Sequence, residues 1–214
     1  MSPAATRMHP AAWQTQSLLL GYPDDQLPAH LDLARRVVPT LPDTVAAPMR
    51  RFLEHATRTT PGEMAEHYVA TFDHRKRCCL YLTYYAHGDT RKRGLALLSM
   101  KQTYAAAGLA LGDDELPDHL AVVLEFAAAE PESGRSLLLE HRAGLELLRL
   151  ALRDAASPWA HVLDSISATL PPLVGDEREA IARLAAEGPP EEQVGLAPFA
   201  APVFLPEPTI RGAR

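Results

Sequence analysis

Apolar residues recur at three- and four-residue spacing along most of the first 188 residues, and Gly or Pro closes run after run. That period is the signature of amphipathic helices, and Gly and Pro are where such helices stop. Runs rich in Val, Ile and Thr are few, so a large sheet is not expected. The chain has 214 residues, 47% of them hydrophobic but only 6% aromatic. One core of ordinary size can be filled, and Leu and Ala, both strong helix formers, must fill most of it. The expected fold is all-α, a single-domain helical bundle over residues 1–188.

The expected helices follow from the punctuation. Trp13 to Leu20 is one, stopped by Gly21 and Pro23. A second carries Leu27, Leu31, Ala34, Val37 and Val38. A third, capped by Asp43 or Thr44, carries Val45, Met49, Phe52, Leu53 and Ala56. Thr60-Pro61-Gly62-Glu63 opens a fourth, since Pro suits a first turn, with Met64, His67, Tyr68, Thr71 and Phe72 following. Leu80 to Ala86 is short and ends at Gly88. Asp89 or Thr90 caps a long helix to Ala107, with Leu97, Leu98, Lys101, Tyr104 and Ala105 stacked. Pro117 and Asp118 stand in the first turn of a helix whose stripe is Leu116, Leu120, Val123, Leu124 and Ala127, Asp118 facing the positive helix end. Ser133 to Ala156 reads as one helix, and Ser157-Pro158 starts another through Leu170. Asp176 caps a last helix that stops at Gly188. Residues 189–214 hold six prolines, and such density cannot sustain a helix; they are expected to be an extended, largely disordered tail.

Charge narrows the partners. The formal net charge is −6, which makes the chain a poor nonspecific nucleic-acid binder and a suitable partner for basic peptides. It is unevenly spread. Arg75, Lys76, Arg77, Arg91, Lys92, Arg93 and Lys101 stand against Asp89 alone between His74 and Lys101, whereas acids dominate from Gln102 onward. Two cysteines, Cys78 and Cys79, are adjacent and have no second pair, so no disulfide framework is expected and a reducing compartment is. Residues Met1 to Trp13 lack the apolar core of a secretory signal, and no stretch reaches the roughly 20 apolar residues of a membrane span. A cytoplasmic protein without stable membrane insertion is expected.

No phosphate loop, dinucleotide fingerprint or nucleophile elbow occurs, so no catalytic residue is assigned and no cofactor is expected. His74, Cys78, Cys79, His87 and Asp89 lie close in sequence, and a His74/Cys78 pair at helical spacing can supply two metal ligands. Alternatively, the cysteines are small apolar filler. Tyr81, Tyr84 and Tyr85 join Tyr68 and Phe72 in a dense aromatic run. Tyr presents a large apolar face and one polar tip, so the run serves either a core or a peptide-gripping groove. His119 is either an ordinary helix residue or a ligand contact, and His141 sits on an apolar stripe as a core histidine.

Several of these residues carry a resemblance. Tyr22-Pro23-Asp24, Tyr68-x-x-x-Phe72-Asp73 with Arg75, His87-Gly88-Asp89-Thr90-Arg91-x-Arg93-Gly94, Tyr104, Gly108-Leu109-x-Leu111 and Glu115-Leu116-Pro117-Asp118-His119-Leu120 occur in the order and spacing of the NarJ family. That family comprises the assembly chaperones of respiratory nitrate reductase, relatives of the TorD and DmsD maturation chaperones. Tyr84-Tyr85 departs from the Glu-His of some relatives. The resemblance implies a helical, non-enzymatic protein, monomeric or weakly dimeric. It would bind the N-terminal region of the apo alpha subunit of nitrate reductase while molybdenum cofactor and an iron-sulfur cluster are inserted, and would delay membrane docking without joining the final enzyme. The residues it implicates in client binding, with the aromatic run, are Tyr68, Phe72, Asp73, Tyr81, Tyr84, Tyr85, His87, Arg91, Tyr104, Glu115, Asp118 and His119.

Overall fold

The computed structural model describes residues 3–112 and 115–187. The fold is all-α. In order come α1 (Pro3–Leu20), α2 (Leu27–Val37), α3 (Asp43–Arg58), α4 (Pro61–Tyr68), α5 (Leu82–His87), α6 (Arg91–Ala106), α7 (Leu120–Ala129), α8 (Pro131–Glu140), α9 (Arg142–Asp154), α10 (Trp159–Ala168) and α11 (Gly175–Glu187). Short 3-10 turns at Val38–Thr40 and Lys76–Cys78 and a π-turn at Val69–Asp73 complete the described elements. The expected Pro-rich tail lies outside the described residues.

The core is built on two tryptophans. Helix α1 packs on α7 and α10, and α10 packs in turn on α3 and α9. Trp13 and Trp159 are buried, and each must place its indole N–H on an acceptor there. Trp13 Nε1 donates to Thr169 Oγ1 at 2.9 Å, and Trp159 Nε1 to the Leu19 carbonyl at 3.1 Å. Gln16 donates to Ser165 Oγ, which donates to the Val45 carbonyl, so α1, α10 and α3 are stitched through one buried polar chain. Phe52, His67, Tyr68 and Phe72 each set a ring centroid 5.4–5.8 Å from that of Trp159.

Local chemistry sets several boundaries. Thr60 and Glu63 form a reciprocal capping box at the start of α4, satisfying two otherwise orphaned amides. Gly88 ends α5 at φ +55°, a conformation that side-chain-bearing residues rarely adopt.

Six expectations about helices need correction. Helix α1 begins at Pro3 rather than Trp13 and carries Pro10 within it. No side chain caps α3; Asp43 is already in its first turn. On α6 the buried residues are Met100 and Tyr104, whereas Leu98, Lys101 and Ala105 are exposed. The helix touches its neighbours along so narrow a strip that an apolar stripe does not report burial. Helix α7 starts at Leu120, so Pro117 and Asp118 precede it in a turn closed by His119 N–H on the Leu116 carbonyl, and Leu116 is exposed. The expected helix from Ser133 to Ala156 is two, broken at His141, whose ψ of 19° turns the chain from α8 into α9. The last helix starts at Gly175, leaving Asp176 inside it.

Candidate functional site

Two extended linkers meet at one point of this helical protein. Tyr81 and His119 form an isolated antiparallel bridge. Leu82 N–H donates to the Asp118 carbonyl and Leu120 N–H to the Leu80 carbonyl, both at 2.9 Å. The polar backbone of both linkers is thereby paired with itself, as buried chain requires. The bridge sets the Tyr81 and His119 rings edge to face, centroids 5.3 Å apart.

Asp118 lies under the bridge and is fully buried. Its Oδ2 accepts from the Thr83 hydroxyl and, at 3.3 Å, from the Thr83 N–H, and it sits 3.5 Å from Arg93 NH2. A buried carboxylate is tolerated only when charged or hydrogen-bonding groups meet it. Arg93 is its counter-charge. The same guanidinium lies 3.3 Å from Asp89 and 5.6 Å from the centre of the Tyr81 ring, a cation–π distance. Tyr104 donates to the Pro117 carbonyl at 2.6 Å. These contacts fasten α6 to the bridge at its first turn and near its last.

The residues implicated from sequence divide by exposure. Tyr81, Asp118, His119 and Tyr104 come together at the bridge, with Tyr84 and His87 half-buried on α5 and Arg91 and Glu115 exposed. Tyr68 and Phe72 belong to the Trp159 cluster, where the Tyr68 hydroxyl donates to the Leu20 carbonyl. Tyr85 is also interior, its hydroxyl shared between the Arg77 and Cys79 carbonyls. Asp73 is exposed at the end of the π-turn. Arg93 and Thr83 were not singled out from sequence as site residues. No local pattern ties either to Asp118, which lies 25 positions beyond Arg93.

An apolar surface adjoins the bridge, and sequence reading missed it too. On α6, Leu95 is 71% and Leu98 52% exposed, and Leu109 and Leu116 are also open to solvent. Separately, a hollow of about 210 Å³ is walled by Tyr104, Leu109, Leu111, Val122 and Phe126, with Glu115 and Glu125 also lining it. Single exposed leucines are ordinary, but an apolar hollow with the exposed Leu109 in its wall is a candidate contact surface.

The electrostatics are those of binding rather than proton transfer. Burial lowers the His119 pKa below its usual range, outweighing the opposing pull of Asp118 and Glu115. The imidazole is therefore neutral near pH 7, with one donor and one acceptor. Burial raises the pKa of the Cys78 and Cys79 thiols, and a protonated thiol is a poor metal ligand and nucleophile. Among the described residues no three His, Cys, Asp or Glu side chains converge as a metal site would require. No described helix is long and apolar enough to cross a membrane.

An all-helical scaffold that presents an acid-edged apolar hollow beside a fastened linker crossing defines a helical binding protein. The comparisons name its family. Residues 39–164 match the family described as nitrate reductase delta subunit. The chain is 35% identical over 156 residues to the probable nitrate reductase molybdenum cofactor assembly chaperone NarJ of Bacillus subtilis, covering 72% of this chain and 85% of that one. It is 33% identical to the NarJ chaperone of Escherichia coli, over 69% of this chain and 64% of that one. Identity reaches 40% over 158 residues with the nitrate reductase-like protein NarX of Mycobacterium tuberculosis, spanning 73% of this chain but 24% of that much longer relative. The chain belongs to the nitrate reductase delta subunit family, together with the NarJ assembly chaperones.

Proposed function

We propose that this protein is a cytoplasmic assembly chaperone for a nitrate reductase. It binds the N-terminal region of the apo alpha subunit, keeps it open to molybdenum cofactor and iron-sulfur insertion, delays membrane docking, and leaves before the enzyme is complete. It works as a monomer or weak dimer.

The observation that carries this reading is the acid-edged apolar hollow, together with the exposed leucines of α6 and of the stretch that follows it. An amphipathic segment can lay its apolar side on Leu95, Leu98 and Leu109, the helix-in-groove mode. An anchoring side chain fills the hollow between Tyr104 and Phe126, and basic residues of the segment meet Glu115 and Glu125. His119 and Tyr81, both half-buried, offer polar tips at the edge of this surface. Asp118, Tyr85, Tyr104, Tyr68 and Phe72 are interior, so their part is to hold the surface in shape. A surface of this size favours modest affinity and fast release, which a chaperone needs.

Titration calorimetry with a synthetic peptide of the alpha subunit's N-terminal residues tests the reading. Saturable heat with a Kd of about 1 mM or tighter is expected. Absence of heat at that concentration, with a folded protein in the cell, counts against the alpha-subunit N-terminus as the client.

A further inference from the structure

None of the bridge residues lines a second cleft, of about 710 Å³, formed by α3, α9, α10 and the approach to α11. Its lining includes four arginines, Arg142, Arg149, Arg153 and Arg178. Among the described residues, the carboxylates meeting them are Glu146 and Asp164. Arg142 lies 2.8 Å and Arg149 2.6 Å from Glu146, while Arg149 lies 3.1 Å and Arg153 2.7 Å from Asp164. Two carboxylates thus hold three guanidiniums in place, and Arg178 adds a fourth positive charge. This excess of cations stands out in a chain whose net charge is −6.

The donors are also preorganised. Arg149 reaches its carboxylates through Nε and NH1, and Arg153 through NH2, so N–H groups of both forks stay available. Arg142, at 7% side-chain exposure, is fixed further by Ser167 Oγ at 3.0 Å. Guanidinium forks match the oxygens of phosphate two at a time. Pro48, Ala168, Leu170, Pro172 and Leu173 give the cleft an apolar wall beside Thr44 and Ser167, and its size is that of small-ligand sites.

We propose that this cleft binds a small phosphorylated ligand, with the phosphate on Arg149, Arg153 and Arg178 and an apolar body against Pro48, Leu170 and Pro172. The proposal is independent of the client-binding reading, since the two surfaces share no residue.

Calorimetric titration of the full chain with inorganic pyrophosphate, and separately with ADP, tests it at about 0.1 M salt, where unspecific charge effects are largely screened. Saturable binding at one site per chain is expected. The double variant R153Q/R178Q weakens it at least tenfold with an unchanged melting temperature. The charge-matched control R35Q/R50Q, elsewhere on the surface, leaves it unchanged. Unsaturable heat, equal affinity in R153Q/R178Q, or an equal loss in the control overturns the site. ADP binding tighter than pyrophosphate supports the apolar wall, and ADP binding no tighter overturns that part of the proposal.

Discussion

Gly134 of α8 crosses α7 so closely that a Cβ built on it stands 2.2 Å from the Ala127 Cα and 2.5 Å from its Cβ. The two backbones meet with no room for a methyl group, and the obstructing atom is itself main chain. Gly134→Ala is therefore an overpacking change rather than a helix-propensity gain. It should cost about 3 kcal/mol or more, at or beyond the upper end for added methylenes in a tight core. Urea unfolding of wild type and variant measures it; equal midpoints would show that the helices part at no cost.

Leu120 opens α7 fully buried, with its N–H committed to the Leu80 carbonyl. Leu120→Asp places a carboxylate there with no added counter-charge, which should cost about 4 kcal/mol or more and unfold most of the chain. Far-ultraviolet circular dichroism reads the outcome directly. A normal melting curve would mean that α7 presents another face to the core.

Four histidines link stability to acidity. Burial lowers the pKa of His67, His119, His141 and His161 from the ordinary 6.5. Each binds a proton more readily unfolded than folded. Stability is thus fully present above about pH 6.5 and falls as the pH drops through the lower, folded values. A melting temperature that declines from pH 7 toward pH 5 is expected, and His141→Gln should make that decline shallower. A slope identical to wild type in His141→Gln would remove this histidine from the explanation.

Client affinity should respond to side chains that the core does not need. Leu95→Asp and Leu98→Asp alter exposed positions of α6, so melting should move by a degree or two while affinity for the alpha-subunit peptide drops about tenfold, near 1.4 kcal/mol. His119→Ala should also weaken the peptide with the fold intact. Unchanged affinity in all three would move the client site off this face.

Much of the fold could be read from sequence because its signals are local. Gly88, Pro61 and the Thr60–Glu63 box punctuate helices by chemistry confined to one turn. The misreadings share a different cause. Apolar spacing runs unbroken from Leu137 through Leu152, so it hides the turn at His141 that divides α8 from α9. The aromatic run from Tyr68 to Tyr85 was legible as a concentration of rings but not as a division of labour. Tyr68 and Phe72 face Trp159, 91 and 87 positions away, whereas Tyr81 faces His119. Asp118 has the sequence look of a charge at a helix start. Only the Tyr81–His119 pairing, which joins distant segments, shows why it lies inside.

Because residues 80–82 and 118–120 are pinned edge to edge, the stretch that carries α5 and α6 begins and ends at one place. On the proposed client surface, altering Leu95 or Leu98, or lengthening the stretch between them and Leu109, would change the client grasped without touching the two-tryptophan core. A shift of client can then evolve inside one excursion of the chain, while the body that carries it stays as it is.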